Sequence, residues 1–164
     1  MLKYGARWIL VVLCTVSMVA CSNEDGSSGK SPVGTTLDVY KSPTCGCCGD
    51  WIEHVQGNGF KTKIHHPNNL NQLKADKGVP AHFQSCHTAV TADGYVFEGH
   101  IPAKYIQRFL EEKPKGAIGL TVPGMPVGSP GMEVADKFMP YQVLLLKRDG
   151  GTEVYADIHS PADQ

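Results

Sequence analysis

A mixed α/β domain is the fold class this sequence predicts, and three observations predict it. Short apolar runs rich in β-branched residues recur from Leu37 to Ile158. Stretches with helical spacing of apolar residues separate several of them. Asp93-Gly94 and Asp149-Gly150-Gly151 join neighbouring runs with residues suited to hairpin turns.

Taken in order, Leu37, Val39 and Tyr40 mark a first strand, and Trp51, Ile52 and Val55 mark one face of a helix that Gly57-Asn58-Gly59 stops. Phe60 to His66 has the length and β-branched content of a second strand. Asn69 with Gln72 resembles a capping box, opening a short helix whose buried face is Leu70 and Leu73 and which Gly78 ends. Cys86 to Ala92 and Tyr95 to Ile101 form a hairpin. Pro102 then opens a helix lined by Tyr105, Ile106, Phe109 and Leu110, closed by Pro114. Gly119 to Met132 is dense in glycine and proline, so no regular helix or strand is expected there. Tyr141 to Lys147 and Thr152 to Ile158 make a closing hairpin, and residues 159–164 read as a tail. The order β-α-β-α-β-β-α matches a thioredoxin-like layout: a central mixed sheet with flanking helices, plus the irregular Met/Pro/Gly loop and the C-terminal hairpin. In that layout the proline of Val79-Pro80 is often cis and faces the cysteine loop.

Lys3 and Arg7 precede the apolar run Trp8 to Ala20, which ends at Cys21. A charged start, a short apolar run and small residues at its end describe a secretory signal over 1–20. The run is too short to span a bilayer, which takes about 20 apolar residues. Ending at cysteine resembles a bacterial lipobox, so Cys21 is the expected lipidation site; a plain signal peptide, giving a soluble periplasmic protein, or a short uncleaved anchor is the alternative. Ser22 after it implies, by the same resemblance, the outer membrane of a Gram-negative cell. Residues 21–35 are Gly/Ser-rich and read as a tether to a domain over 36–158. The net charge is −1, and no basic cluster with interleaved aromatics suggests nucleic acid.

Of the six cysteines, Cys14 lies in the leader and Cys21 is the lipid site. That leaves Cys45, Cys47, Cys48 and Cys86. Three of these sit between the first strand and its helix, where the helix N-terminus favours thiolate. Outside the cytoplasm thiols usually end as disulfides, but bridges among three such close neighbours would close only short loops. Metal held by thiolates is the more natural reading. A third adjacent cysteine also departs from a simple Cys-x-x-Cys exchanger. Soft ligands suit Cu(I), Zn(II) or an iron–sulfur cluster. The second knuckle of a structural zinc site is missing.

Cys86-His87 adds a thiolate and an imidazole, and His100 lies at the same end of the antiparallel neighbour. Met125 and Met132 offer thioethers, which suit Cu(I) and have little use for zinc. Against these stand ordinary roles, methionine as core filler and histidine as a hydrogen-bonded core residue. His65 and His66 point to opposite faces of a regular strand, so at most one joins any site. His54 and His82 are weaker candidates still, and Trp51 and Phe109 read as core.

Four blocks in order carry a family resemblance: Tyr-Lys-Ser-Pro-Thr-Cys-Gly-Cys-Cys-Gly (40–49), Ser-Cys-His-Thr-Ala (85–89), Glu-Gly-His-Ile-Pro-Ala (98–103) and Val-Pro-Gly-Met-Pro-Val-Gly-Ser-Pro-Gly-Met (122–132). They resemble a family of small periplasmic metal-binding proteins, long catalogued as a domain of unknown function, that includes CopG-type copper-resistance proteins. The resemblance covers about residues 37–158, with Ile101 standing where valine is familiar. It implies a thioredoxin-like fold, copper binding by the cysteine-rich loop with the Cys-His pair, and a role in copper tolerance.

The expectation is therefore a periplasm-facing protein holding one or more Cu(I) ions on Cys45, Cys47, Cys48, Cys86, His87, His100, Met125 and Met132. Its expected partners are copper ions and a periplasmic copper carrier or exporter, with the membrane reached only through the lipid. Two alternatives stay open: a thiol–disulfide oxidoreductase using Cys45 as nucleophile and Cys48 as resolving thiol, and a zinc-stabilised binding module.

Overall fold

A computed structural model of the chain describes residue 1 and residues 34–164. The expected signal segment, Cys21 and nearly all of the tether lie outside the described residues. The elements run β1 (Thr36–Lys41), α1 (Gly46–Gly57), β2 (Lys61–His65), α2 (Leu70–Asp76), β3 (His87–Thr91), β4 (Val96–Glu98), α3 (Ala103–Glu112), β5 (Ala117–Thr121), β6 (Tyr141–Lys147) and β7 (Thr152–Ile158). Short 3-10 turns occupy Ala81–Phe83 and Pro161–Asp163. Among the described residues, no helix is long and apolar enough to cross a membrane.

All seven strands form one sheet in the order β2-β1-β3-β4-β5-β6-β7. The pairs β1·β2 and β4·β5 are parallel and the other four are antiparallel. This is the mixed α/β class the sequence predicts, and the order β2-β1-β3-β4 agrees with the thioredoxin-like expectation. The Val79–Pro80 bond is trans, since no described peptide bond is cis.

Both faces of the sheet are covered, and side-chain alternation shows how. On one face Leu37, Val39, Ala89, Phe97, Leu120, Val143 and Leu145 pack with Trp51, Ile52 and Val55 of α1 and Ile106 and Phe109 of α3. On the other, Val96 and Leu146, each next in sequence to a residue of the first face, join Val79, with Phe83 and Ile118 against them. Burial of α1 and α3 side chains on the first face supplies the main apolar driving force. Trp51 adds direction, because its indole N–H donates to the Ile101 carbonyl at 2.9 Å.

Three sequence expectations change. Gly119-Leu120-Thr121 belongs to β5 rather than to an irregular loop. The glycine that made it look like a loop is there for close approach: a Cβ at Gly119 would lie 1.7 Å from the Val96 carbonyl oxygen on β4. In α2, Asn69 does cap the helix, accepting from the Gln72 N–H at 3.0 Å, but Leu70 and Leu73 are only half-buried and the fully buried side chain is Lys74. The tail is docked rather than loose. Ser160 and Asp163 form a capping box, Tyr105 Oη donates to the Asp163 carbonyl at 2.7 Å, and Gln164 Nε2 donates to the Gly128 carbonyl at 2.7 Å.

Gly119→Ala forces β4 and β5 apart. Its expected cost is about 3 kcal/mol, the upper end for an overpacked site, read as a lowered midpoint in urea unfolding.

Candidate metal centre

Pairing brings the sulfur-bearing segments to one corner. β1 and β3 are antiparallel with Lys41 opposite His87, so the chain leaving β1 toward Cys45 and the chain entering β3 from Cys86 meet at the same sheet end. Cys45 is the N-cap residue of α1 and makes no side-chain cap bond. Cys47 and Cys48 fall in the first turn, whose backbone N–H groups have no partner within the helix.

Cys45 and Cys48 are joined by a disulfide. The sequence reading favoured metal over any bridge in this loop. A first helical turn, however, brings residues three apart onto the same side of the helix, and here their Cα atoms are 5.5 Å apart, within disulfide range. Cys47 and Cys86 are free and half-buried. Cys47 Sγ lies 3.5 Å from Cys45 Sγ. The four sulfurs Cys45, Cys47, Cys48 and Cys86 lie within 4.8 Å of one another, and so do one donor atom each of Cys86, His87 and His100. Cys86 belongs to both groups.

The histidines are preorganised. His100 is fully buried, and its Nδ1 is 2.7 Å from the Pro130 carbonyl oxygen. A carbonyl only accepts, so Nδ1 carries the proton and Nε2 presents its lone pair. That Nε2 sits 2.9 Å from Cys86 Sγ. His87 is fully buried with its ring centroid 4.3 Å from that of Trp51. Its Nδ1 is 3.4 Å from Cys86 Sγ, while Nε2 has no hydrogen-bond partner. Burial lowers the pKa of both imidazoles; for His87 the neighbouring His100 lowers it further. Burial, and then the proximity of Cys47, pushes the Cys86 thiol up to about 12. At neutral pH the resting site is thus a thiol between neutral imidazoles, with its S–H free to donate to His100.

The Pro/Gly loop acts here through its backbone. Besides the Pro130 carbonyl, it supplies Gly131 (φ +80°), where a Cβ would meet Trp51 N at 2.6 Å and the Cys47 carbonyl oxygen at 2.7 Å. The loop therefore lies directly on the first turn of the cysteine helix. Met125 is more than half exposed at 54% and follows Gly124, whose carbonyl accepts the Ser85 hydroxyl. Met132 is half-buried and closes a turn through its N–H to the Ser129 carbonyl, 2.7 Å.

Three of the remaining histidines have other partners. His65 Nε2 is 2.8 Å from Asp38 Oδ1 with its ring stacked on Tyr40. His66 Nδ1 is 3.0 Å from the Lys41 carbonyl. His54 Nε2 accepts the Ala103 N–H at the start of α3, 3.0 Å. A cavity of about 490 Å³ lies apart from the cysteines, lined by His54, Pro130, Glu133 and Gln164 among others.

Sequence reasoning missed the pair beneath this corner. Lys74 Nζ donates to Glu98 Oε1 and both side chains are buried. Burial raises the Glu98 pKa, and the Lys74 charge opposes that rise. Lysine on a short polar helix gives no signal of burial. Glu98 inside the apolar run Val96-Phe97 did, since a carboxylate there needs a partner.

The model of a family described as a protein of unknown function, DUF411, matches residues 83–132. Two solved structures described as copper resistance protein CopG, forms 2 and 1, are each 43% identical to this chain. Form 2 superposes with a TM-score of 0.72, covering 77% of this chain and 99% of that one. Form 1 gives 0.71, covering 76% and 98%. Among curated protein sequences, none matches. With near-complete coverage of these structures at that identity, the chain belongs to the CopG-type copper-resistance family.

Proposed function

We propose that this protein holds Cu(I) at the sulfur corner, on Cys47, Cys86, His87 and His100 together with Cys45 and Cys48 once their disulfide is reduced. The observation that carries the reading is the dual membership of Cys86, whose sulfur lies within 4.8 Å of three other cysteine sulfurs and of one donor atom each of His87 and His100. Sulfur with neutral imidazole is a soft-to-borderline donor set that suits Cu(I) and gives hard ions little. His87 supports it through Nδ1, the ring nitrogen that lies 3.4 Å from Cys86 Sγ. Closely spaced thiolates can each serve two ions, so more than one copper per chain is part of the proposal. Met125, exposed beside the Gly124–Ser85 contact, is proposed as a thioether at the entrance, with Met132 as its counterpart on the loop. Zinc is the less suitable occupant.

In the cell, the reading is copper tolerance on the periplasmic side, with Cys21 as lipid anchor and copper exchanged with a carrier or exporter. The signal-like 1–20 segment and the family membership support this. Cycling of copper between oxidation states belongs to the same proposal. Its support is the Cys45–Cys48 pair within the site, whose dithiol would give one electron to each of two Cu(II) ions as it closes to the disulfide and releases two protons.

That disulfide also favours a second reading, thiol–disulfide exchange through Cys45 and Cys48. Anaerobic Cu(I) titration of Cys47→Ser separates the two. Ligand loss weakens copper by at least the ten- to hundredfold typical of lost outer partners, while disulfide exchange persists. Wild-type copper affinity in Cys47→Ser would favour the exchanger. Prior reduction should also raise the amount of Cu(I) bound per chain, and equal uptake before and after reduction would contradict Cys45 and Cys48 as ligands.

The neutral imidazoles give a pH signature in the metal-free protein. Unfolded histidine titrates near 6.5, and the folded values of His87 and His100 are lower. As pH falls through 6.5, the unfolded chain takes up protons that the folded one refuses, so stability declines. The limit is about 1.4 kcal/mol per pH unit per histidine. Urea unfolding between pH 7.5 and 5.5 should show this slope, and His87→Gln should reduce it.

A further inference from the structure

We propose that Lys74 and Glu98 are positioning residues for Cys86, fixing the one sulfur shared by both halves of the site. The proposal rests on the copper reading for its purpose, but its geometry stands alone. Ser85 lies between the 3-10 turn Ala81–Phe83 and β3, outside every strand. Its N–H donates to Glu98 Oε1 at 2.7 Å. Its carbonyl accepts from Lys74 Nζ at 3.0 Å. The same Lys74 Nζ donates to Glu98 Oε1, and Thr88 Oγ1 donates to Glu98 Oε2.

Both peptide groups flanking Ser85 are therefore gripped by one buried ion pair, and the second of them is the Ser85–Cys86 peptide itself. The side chain of Ser85 adds a third point through the Gly124 carbonyl. Gly99 makes room for it, since a Cβ there would lie 2.7 Å from Ser85 Oγ and 2.5 Å from the Val122 carbonyl oxygen. Glu98 thus stands two residues before His100 in the chain and holds the residue before Cys86. It ties the two members of the 2.9 Å Cys86–His100 contact to one carboxylate.

Stability does not explain the pair. A buried ion pair is commonly no better than apolar residues of the same volume, because desolvating the two charges offsets their attraction. What an apolar pair lacks is a donor and an acceptor for Ser85. A device for fixing an irregular segment, where no ladder bond is available, accounts for charges at 1% and 0% exposure.

The test compares the wild type with Lys74→Met/Glu98→Leu, which removes both charges and leaves none unpaired. Thermal unfolding of the metal-free protein should be lowered but remain a single cooperative transition, because the Ser85 peptide groups and the Thr88 hydroxyl lose their partners. Anaerobic competition with a chromophoric Cu(I) chelator should show affinity weakened about ten- to hundredfold, as for lost outer partners of a metal ligand. In the reduced, metal-free proteins, alkylation of Cys86 by iodoacetamide should be faster in the variant, with Cys47 unchanged. Wild-type copper affinity and an unchanged Cys86 alkylation rate would overturn the proposal.

A measurement on the wild type keeps the proposal testable if the variant fails to fold. The Ser85 amide, although on a half-buried connecting segment, should exchange with solvent about a hundredfold or more slower than an unstructured amide, because its acceptor is a buried carboxylate. Unprotected exchange at Ser85 would overturn it. If the reduced, folded wild type binds no Cu(I), the copper reading fails; the alkylation and exchange results still decide the positioning of Cys86.

Discussion

The antiparallel register of β1 and β3 is the constraint on which the site depends. With Lys41 opposite His87, the cysteine loop and Cys86 leave the sheet at the same end. A slip of one residue would turn His87 to the opposite face, away from Trp51, and move Thr88 off Glu98. The register is held because both faces are buried. Val39 and Ala89 sit in one core, while Thr88, beside Ala89 and facing the other way, meets Glu98. The apolar packing that makes the sheet also decides where sulfur and imidazole meet.

Around that corner the fold spends unusual residues on rigidity. His100 is aimed by the Pro130 carbonyl, α1 is covered by Gly131 at backbone contact, and Ser85 is gripped by a buried lysine and glutamate. Each element alone is a poor stabiliser: an irregular loop, a neutral histidine in the core, a desolvated ion pair. Together they leave few ways for Cys86 and His100 to move apart. If the corner holds copper as proposed, Cys86 and the two imidazoles would need little rearrangement, which lowers the ordering cost of binding.

Much of this was legible from the sequence. The closing hairpin was read at its true limits, because Asp149-Gly150-Gly151 interrupts two runs of strand-like residues. The nearness of Cys86-His87 to His100 followed from the antiparallel hairpin, which brings both to the same end of the sheet. What was missed has a common cause. Gly119 looks like a loop residue until β4 is placed against it, and Lys74 looks solvated until Glu98 is placed beneath it. Asp163 looks like a free end until Tyr105 and Ser160 reach it. In each case a partner distant in sequence overrides the local preference. The Cys45–Cys48 bridge entered the sequence reading only through the exchanger alternative, because crowding of cysteines argued for metal; helical geometry makes it the pair ready to close.

The most direct test of the account is X-ray absorption at the copper edge, on anaerobically reduced protein loaded with Cu(I). Copper surrounded mainly by sulfur with imidazole nitrogen, and a loss of sulfur neighbours in Cys86→Ser, is the predicted result. A spectrum of nitrogen and oxygen neighbours alone, or one identical in Cys86→Ser, would contradict it.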